Sequence, residues 1–354
     1  MRFVLDIDPD TYERVLSLIR DRRYRDLQEF ASAAFVNQLT IEGQEAGSPF
    51  ELDVGHDFSV SSQEDVPGTH PGGRSQSGIG RNSVKWDQVS TVAMPRPDGP
   101  FSGYIWGQYN KFLPLKVALR QLASVSVQKG PWVELSKIQR LASQAAAHIG
   151  GDLRRAESRL GKDLLERLST GFPKGFSEVK SIERFESQFV GHITKDGVIY
   201  GMPGNIGFAN IVEKAGHTLI GLTKLGLEFC RLTNPVIDNG KLERPLSQEE
   251  ADSYLDHVTE ALPKECRAMR LILNAIEENK DSPDQMTERL RTLRENWSGA
   301  VLNTMRVGLL SRMWDLGLIQ RNRAGQRVDY SLTDRGTTWL EDVRQGPKEV
   351  GSNE

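Results

Sequence analysis

Hydrophobic positions alternate with polar ones only briefly, at Phe3, Leu5 and Ile7, and elsewhere recur every three or four residues, so the pattern predicts a mainly helical chain with a few short strands. After the first strand, Tyr12, Val15, Leu16 and Ile19 form one helical stripe, and Leu27, Phe30, Ala34, Phe35 and Leu39 form a second. From residue 45 to 99 the periodicity gives way to Gly, Ser, Pro and Asp. That composition buries too little apolar surface to offset its ordering entropy, so the stretch reads as a flexible linker, disordered at least over 59–82. Helical spacing returns with Phe112, Leu115, Leu119 and Leu122, and two further helices are expected at 134–149 and 152–168, broken at Gly150-Gly151. Short strands are expected around a glycine-containing hairpin between Phe189 and Met202, and Gly201 to Gly207 reads as a turn between strands. Helices at about 247–261, 264–279, 283–294 and 300–316 follow. The first of them opens at Ser247 with Glu250 three residues on, the spacing of a capping box.

The end of the chain carries the sharpest pattern. Leu309, Leu310, Met313 and Leu316 form a helical stripe that runs into Gly317, a residue suited to a left-handed helix stop. Leu318 and Ile319 start a strand, a tight turn follows at Ala324-Gly325, and residues 326–332 return before Thr333 opens another helix. The phrase Leu332-Thr333-Asp334-Arg335-Gly336 has an earlier counterpart in Leu222-Thr223-Lys224-Leu225-Gly226, again between a strand and a helix. Two copies of one phrase predict two domains of the same kind, residues 100–238 and 246–345, followed by a disordered tail at 346–354. The expected fold class is mainly α with small β-hairpins, an α+β chain.

The order of leader helix, Leu316-Gly317-Leu318-Ile319, arginine-bearing hairpin and Tyr330-Ser331-Leu332-Thr333-Asp334-Arg335-Gly336 resembles the end of a winged helix-turn-helix domain. The resemblance implies a tandem of winged helices over residues 101–345, in which the helix at 300–316 takes the place of the recognition helix and the hairpin that of the wing. Residues 1–42, one strand and two helices, are similar to the ribbon-helix-helix family. That likeness implies an obligate dimer built through residues 1–44, with Arg2, Val4 and Asp6 on the groove-facing side of the ribbon and Arg2 suited to DNA.

Charge sharpens this picture. Residues 110–185 hold fourteen basic and seven acidic side chains, an excess of seven in a chain of net charge -3, so the remainder carries -10. A basic domain among acidic neighbours points to a local polyanion site. Its candidate phosphate contacts are Arg154, Arg155 and Arg159, with Lys137 and Arg140 on the preceding helix. On the helix at 300–316, Asn303 with Arg306 and Arg312 offers a base-reading face, while Val307 and Trp314 on the same side offer a protein contact. On the hairpin, Arg321 and Arg323 share one face of a strand and Arg327 returns beside them. Trp297, Trp314 and Trp339 read as core or interface anchors, and His148 as a capping or surface residue.

Chemistry of other kinds leaves no mark. There is no GxxxxGK[ST], G-x-S-x-G or HExxH, and the two cysteines, Cys230 and Cys266, show no metal-binding spacing with the six histidines. No enzyme activity, cofactor or metal is therefore expected. Asp6, Asp8 and Asp10 stand where a secretory signal needs an apolar run, and no run approaches the ~18 residues of a membrane span. The expectation is a cytoplasmic, dimeric protein that binds double-stranded DNA, by sequence or architecturally, as a transcriptional regulator. The alternative is an adaptor subunit whose winged helices bind protein partners in a chromosome-maintenance or defence complex.

Overall fold

The computed structural model describes residues 84–95, 103–162, 167–195, 197–324 and 327–345, together with positions 13 and 16. The ribbon-helix-helix-like segment, with Arg2, most of the linker and the tail lie outside the described residues, as do the side chains of residues 323–327. The described residues belong almost entirely to one compact unit, 68–322 with 329–354.

Helices dominate. In chain order they are α1 (Phe112–Lys129), α2 (Leu135–Leu160), α3 (Val179–Phe185, continued by a π turn Glu186–Val190), α4 (Met202–Asn205), α5 (Lys224–Arg231), α6 (Pro235–Asn239), α7 (Gln248–Ala261), α8 (Pro263–Glu277), α9 (Pro283–Arg291), α10 (Gly299–Asp315) and α11 (Asp334–Gln345). The strands are β1 (Val133–Glu134), β2 (His192–Ile193), β3 (Ile199–Tyr200), β4 (Ala209–Lys214), β5 (His217–Leu222), β6 (Ile319–Ala324) and β7 (Arg327–Leu332). They form an antiparallel sheet ordered β1-β5-β4 and two hairpins, β2-β3 and β6-β7. The expected α+β class is thus seen as helices with small antiparallel sheets.

A single apolar core runs from Tyr104 through Leu340 and crosses the connection at 238–246, where a domain boundary was expected. The reason is α1, which is buried on nearly every side, as an all-round apolar helix must be. Its basic residues are buried with it. Lys116 and Arg120, four apart on one face, carry no exposed surface. Lys116 Nζ lies 2.7 Å from Glu250 Oε1 on α7, and both Arg120 Nη atoms donate to Asp238 at 2.7 Å. Just ahead of α1, Lys111 Nζ donates to Asp315 at 3.0 Å, and the Phe112 amide donates to the other oxygen of that carboxylate. Arg312 on α10 completes the set, donating to Glu265 Oε1 at 2.9 Å and 2.6 Å and to the carbonyls of Tyr109 and Ile105. Burial holds the lysine pKa values of Lys111 and Lys116 below their usual range, against the pull of Asp315 and Glu250.

The repeated phrase marks a repeated structure with a constant shift of 110 positions, from Thr223 to Thr333. Thr223 caps α5 by accepting from the Gly226 amide at 3.1 Å, and Thr333 accepts from the Gly336 amide at 3.0 Å. Each threonine hydroxyl donates back to the helix-ending glycine, to Gly207 O and to Gly317 O, both at 2.7 Å. Those glycines have φ of +74° and +71°, as left-handed stops require. A Cβ on Gly226 or on Gly336 would lie 2.0 Å from the carbonyl oxygen of Phe208 or Leu318, so both positions need glycine for the helix to touch the strand. The helix ends match as well: Phe208 N donates to Pro203 O and Leu318 N to Met313 O. The order α1, β1, α2, α3-α4, β4, β5, α5 therefore returns as α8, a loop, α9, α10, β6, β7, α11. In the second copy the Asp281 carboxylate accepts from the Tyr330 amide, where β1 pairs with Ile220 in the first.

Three expectations change. Helix α2 is continuous through Gly150-Gly151, because Gly150 faces inward and a Cβ there would meet Phe172 Cβ at 2.6 Å; close packing outweighs the ~1 kcal/mol that glycine costs a helix. The segment Gly201–Gly207 contains the helical turn α4. The linker ends by residue 84, since Val84 and Val89 are buried and the Val92 amide donates to Leu222 O at 2.8 Å. Trp297 and Trp339 are buried and Trp314 is partly so, as expected of anchors. The capping box of Ser247 and Glu250 forms.

Removing one member of a buried ion pair leaves an unpaired charge. Glu265→Ala should lower stability by about 3–5 kcal/mol, and Glu265→Leu combined with Arg312→Met should recover much of that loss. Equilibrium denaturation reads both; a double variant no better than the single one would mean that the pair itself contributes the stability.

Candidate nucleic-acid interface

The 26-residue helix α2 is amphipathic. Leu135, Ile138, Ala142, Ala146, Gly150, Leu153 and Glu157 face the core at spacings of three and four. The opposite face brings together Lys137, Arg140, Gln144, His148, Arg155 and Arg159, at spacings of three, four and seven. All but Lys137, which is half-buried, are exposed. Four of the five basic residues expected in this region therefore share one stripe. Arg155 forms an i,i+3 ion pair with Asp152, both side chains being exposed, and such a pair is readily exchanged for another anion.

Arg154 leaves the stripe. It lies about 100° round the helix from Arg155, half-buried, and donates to the carbonyls of Pro173 at 2.9 Å and Lys174 at 3.0 Å. Partial burial lowers its pKa from the usual arginine value. Its role is to clamp the loop after residue 173 against the helix. That clamp places Phe176, which is 57% exposed, edge-on to His148 at 4.6 Å between ring centroids. Lys174, Lys180 and Arg184 are exposed in and after the same loop. A helix broken at Gly150 would not align Arg140 with Arg155; the continuous α2 does.

The helix expected to read bases is closed off. On α10, Arg306 and Arg312 are buried, and Arg312 is committed to Glu265 and to backbone carbonyls. The side chain of Asn303 accepts from Arg306 at 2.7 Å. Residues 103–111 lie across the outer face, so closely that a Cβ on Gly107 would meet Thr304 O at 1.9 Å and one on Gly308 would meet Gly107 O at 2.3 Å. A helix covered by its own chain cannot enter a groove, which removes Arg306 and Arg312 as base contacts. Arg321 packs its guanidinium 5.1 Å from the Trp314 ring centroid, and burial lowers its pKa, so it too stands away from the expected free wing tip. Arg323 and Arg327 share the β6-β7 hairpin with it; their side chains are outside the description.

Among the described residues no helix is long and apolar enough to cross a membrane, and no three His, Cys, Asp or Glu residues are grouped to hold a metal ion. Comparison with known protein families, with curated proteins and with solved structures finds no match to this chain.

The two roles of neighbouring arginines are separable. Arg154→Ala should cost about 1–3 kcal/mol, as the carbonyls of residues 173 and 174 lose their donor, while Arg159→Ala should stay within about 0.5 kcal/mol of the parent. Thermal unfolding of the two variants checks this, and equal stability would show that the clamp contributes nothing.

Proposed function

We propose that this chain binds double-stranded DNA along α2, tracking phosphates rather than reading bases. The observation that carries the reading is the stripe of Lys137, Arg140, Arg155 and Arg159 on one face of one rigid helix. From Lys137 to Arg159 it spans about 33 Å at ~1.5 Å per residue, close to the ~34 Å of one duplex turn. Basic side chains at that reach release counterions from a phosphate backbone and give affinity that falls with salt. The exposed Lys174, Lys180 and Arg184 extend the same positive surface.

The winged-helix resemblance is consistent with this role. In the first copy β4, β5 and α5 follow the helix stop at Gly207 as β6, β7 and α11 follow Gly317, the order on which that resemblance rests. With α10 covered, we assign the chain an architectural mode of binding in preference to operator recognition. A dimer formed through residues 1–44, held in the cytoplasm, would set two such helices on one duplex and raise their joint affinity.

Replacing Lys137, Arg140, Arg155 and Arg159 together with alanine should weaken binding to duplexes of any sequence. The slope of log affinity against log salt should flatten by about three to four units, near ~0.9 per lost phosphate contact. A variant with the parent's affinity and slope across a salt series would remove α2 from the interface.

A further inference from the structure

The two copies, matched by their shift of 110 positions, differ at one place that points to a ligand. In the first copy the segment Val92-Ala93-Met94 lies beside the sheet. The Val92 amide donates to Leu222 O at 2.8 Å, and Val92 forms a parallel bridge with Thr223. The Ala93 carbonyl accepts from Asn210 Nδ2 at 3.0 Å, and Met94 lies over Gly207, 3.2 Å from where a Cβ would stand. The equivalents of Leu222, Thr223, Asn210 and Gly207 are Leu332, Thr333, Gln320 and Gly317. All four line a cleft of about 480 Å³, the place where no strand lies in the second copy among the described residues.

We propose that this cleft is a docking site for an extended peptide from another protein, laid across the end of β7 as residues 92–94 cross the end of β5. By analogy with the first copy, the peptide would give one main-chain amide to Leu332 O and accept one bond at a carbonyl from the Gln320 side-chain amide. The differences between the copies specify the peptide. Gly221, where a Cβ would meet Val92 Cγ1 at 2.6 Å, is replaced by Ser331, so the residue in the place of Val92 is small, alanine or serine. Arg244 puts Nη1 3.6 Å from the Cβ position of Gly317, in the place that Met94 takes over Gly207, so the third residue of the peptide meets a guanidinium and is acidic. Asp334, beside Thr333, disfavours an acid at the first position. The motif is small, any, acidic.

The probe is a fluorescein-labelled hexapeptide with the sequence of residues 90–95 carrying Val92→Ala and Met94→Glu, titrated against the full chain by anisotropy. Saturable one-to-one binding is expected. Methylating the backbone nitrogen of the alanine in the place of Val92 should weaken it at least tenfold, because the donor to Leu332 O is lost. In the protein, Gln320→Ala and Arg244→Glu should each weaken binding several-fold, and a peptide with lysine in place of the glutamate should bind Arg244→Glu better than it binds the parent. No saturation up to millimolar peptide would overturn the proposal, as would equal binding of the N-methylated peptide. Displacement of the probe by equimolar inorganic phosphate would also overturn it, marking the cleft as a simple anion site.

Discussion

The structure depends on desolvated charge. Lys111, Lys116 and Arg120 are carried into the core by α1 and by the turn that leads into it, and each would be intolerable there without a carboxylate. The carboxylates come from far along the chain, Asp315, Glu250 and Asp238, so burying α1 obliges α6, α7 and the second copy's α10 to assemble around it. Arg312 and Glu265 apply the same rule from the other side, binding the backbone at Ile105 and Tyr109 to α10 and α8. Three of the fourteen basic residues of 110–185 are thus spent internally. What remains available to a polyanion is concentrated on α2 and the loop it clamps.

That constraint explains which parts of the molecule could be read from residue order. Local signals held: the capping box at Ser247, the threonine-glycine phrase at both copies, and the short hairpin between residues 192 and 200 all depend on neighbours within a few positions. Signals that depend on distant partners did not. Nothing near Gly150 announces Phe172, and an arginine at position 312 looks the same in sequence whether it faces a duplex or Glu265. The stripe on α2 lies between these cases: Arg155 and Arg159 stood out, but their alignment with Lys137 and Arg140 needs the helix to pass unbroken through two glycines.

The two copies keep their frame and differ in what they hold. Both end a helix at a left-handed glycine, cap the next with threonine and press a glycine onto a strand carbonyl. Asn205 buries its Oδ1 with no hydrogen-bond partner, while its counterpart Asp315 receives Lys111 and the Phe112 amide. The first copy takes residues 92–94 across the end of β5; at the matching place in the second, among the described residues, Arg244 reaches over Gly317 beside a cleft. A duplicated frame with unlike neighbours lets the two copies present different surfaces.

The most direct test of the account is arginine-specific chemical modification of the full chain with and without saturating duplex DNA, read residue by residue by mass spectrometry. Arg140, Arg155 and Arg159 should react in the free protein and be protected by the duplex, while Arg120 and Arg312, sealed in the core, should stay unmodified in both. Unchanged reactivity of the three α2 arginines on a bound duplex would contradict the account, and so would ready modification of Arg312.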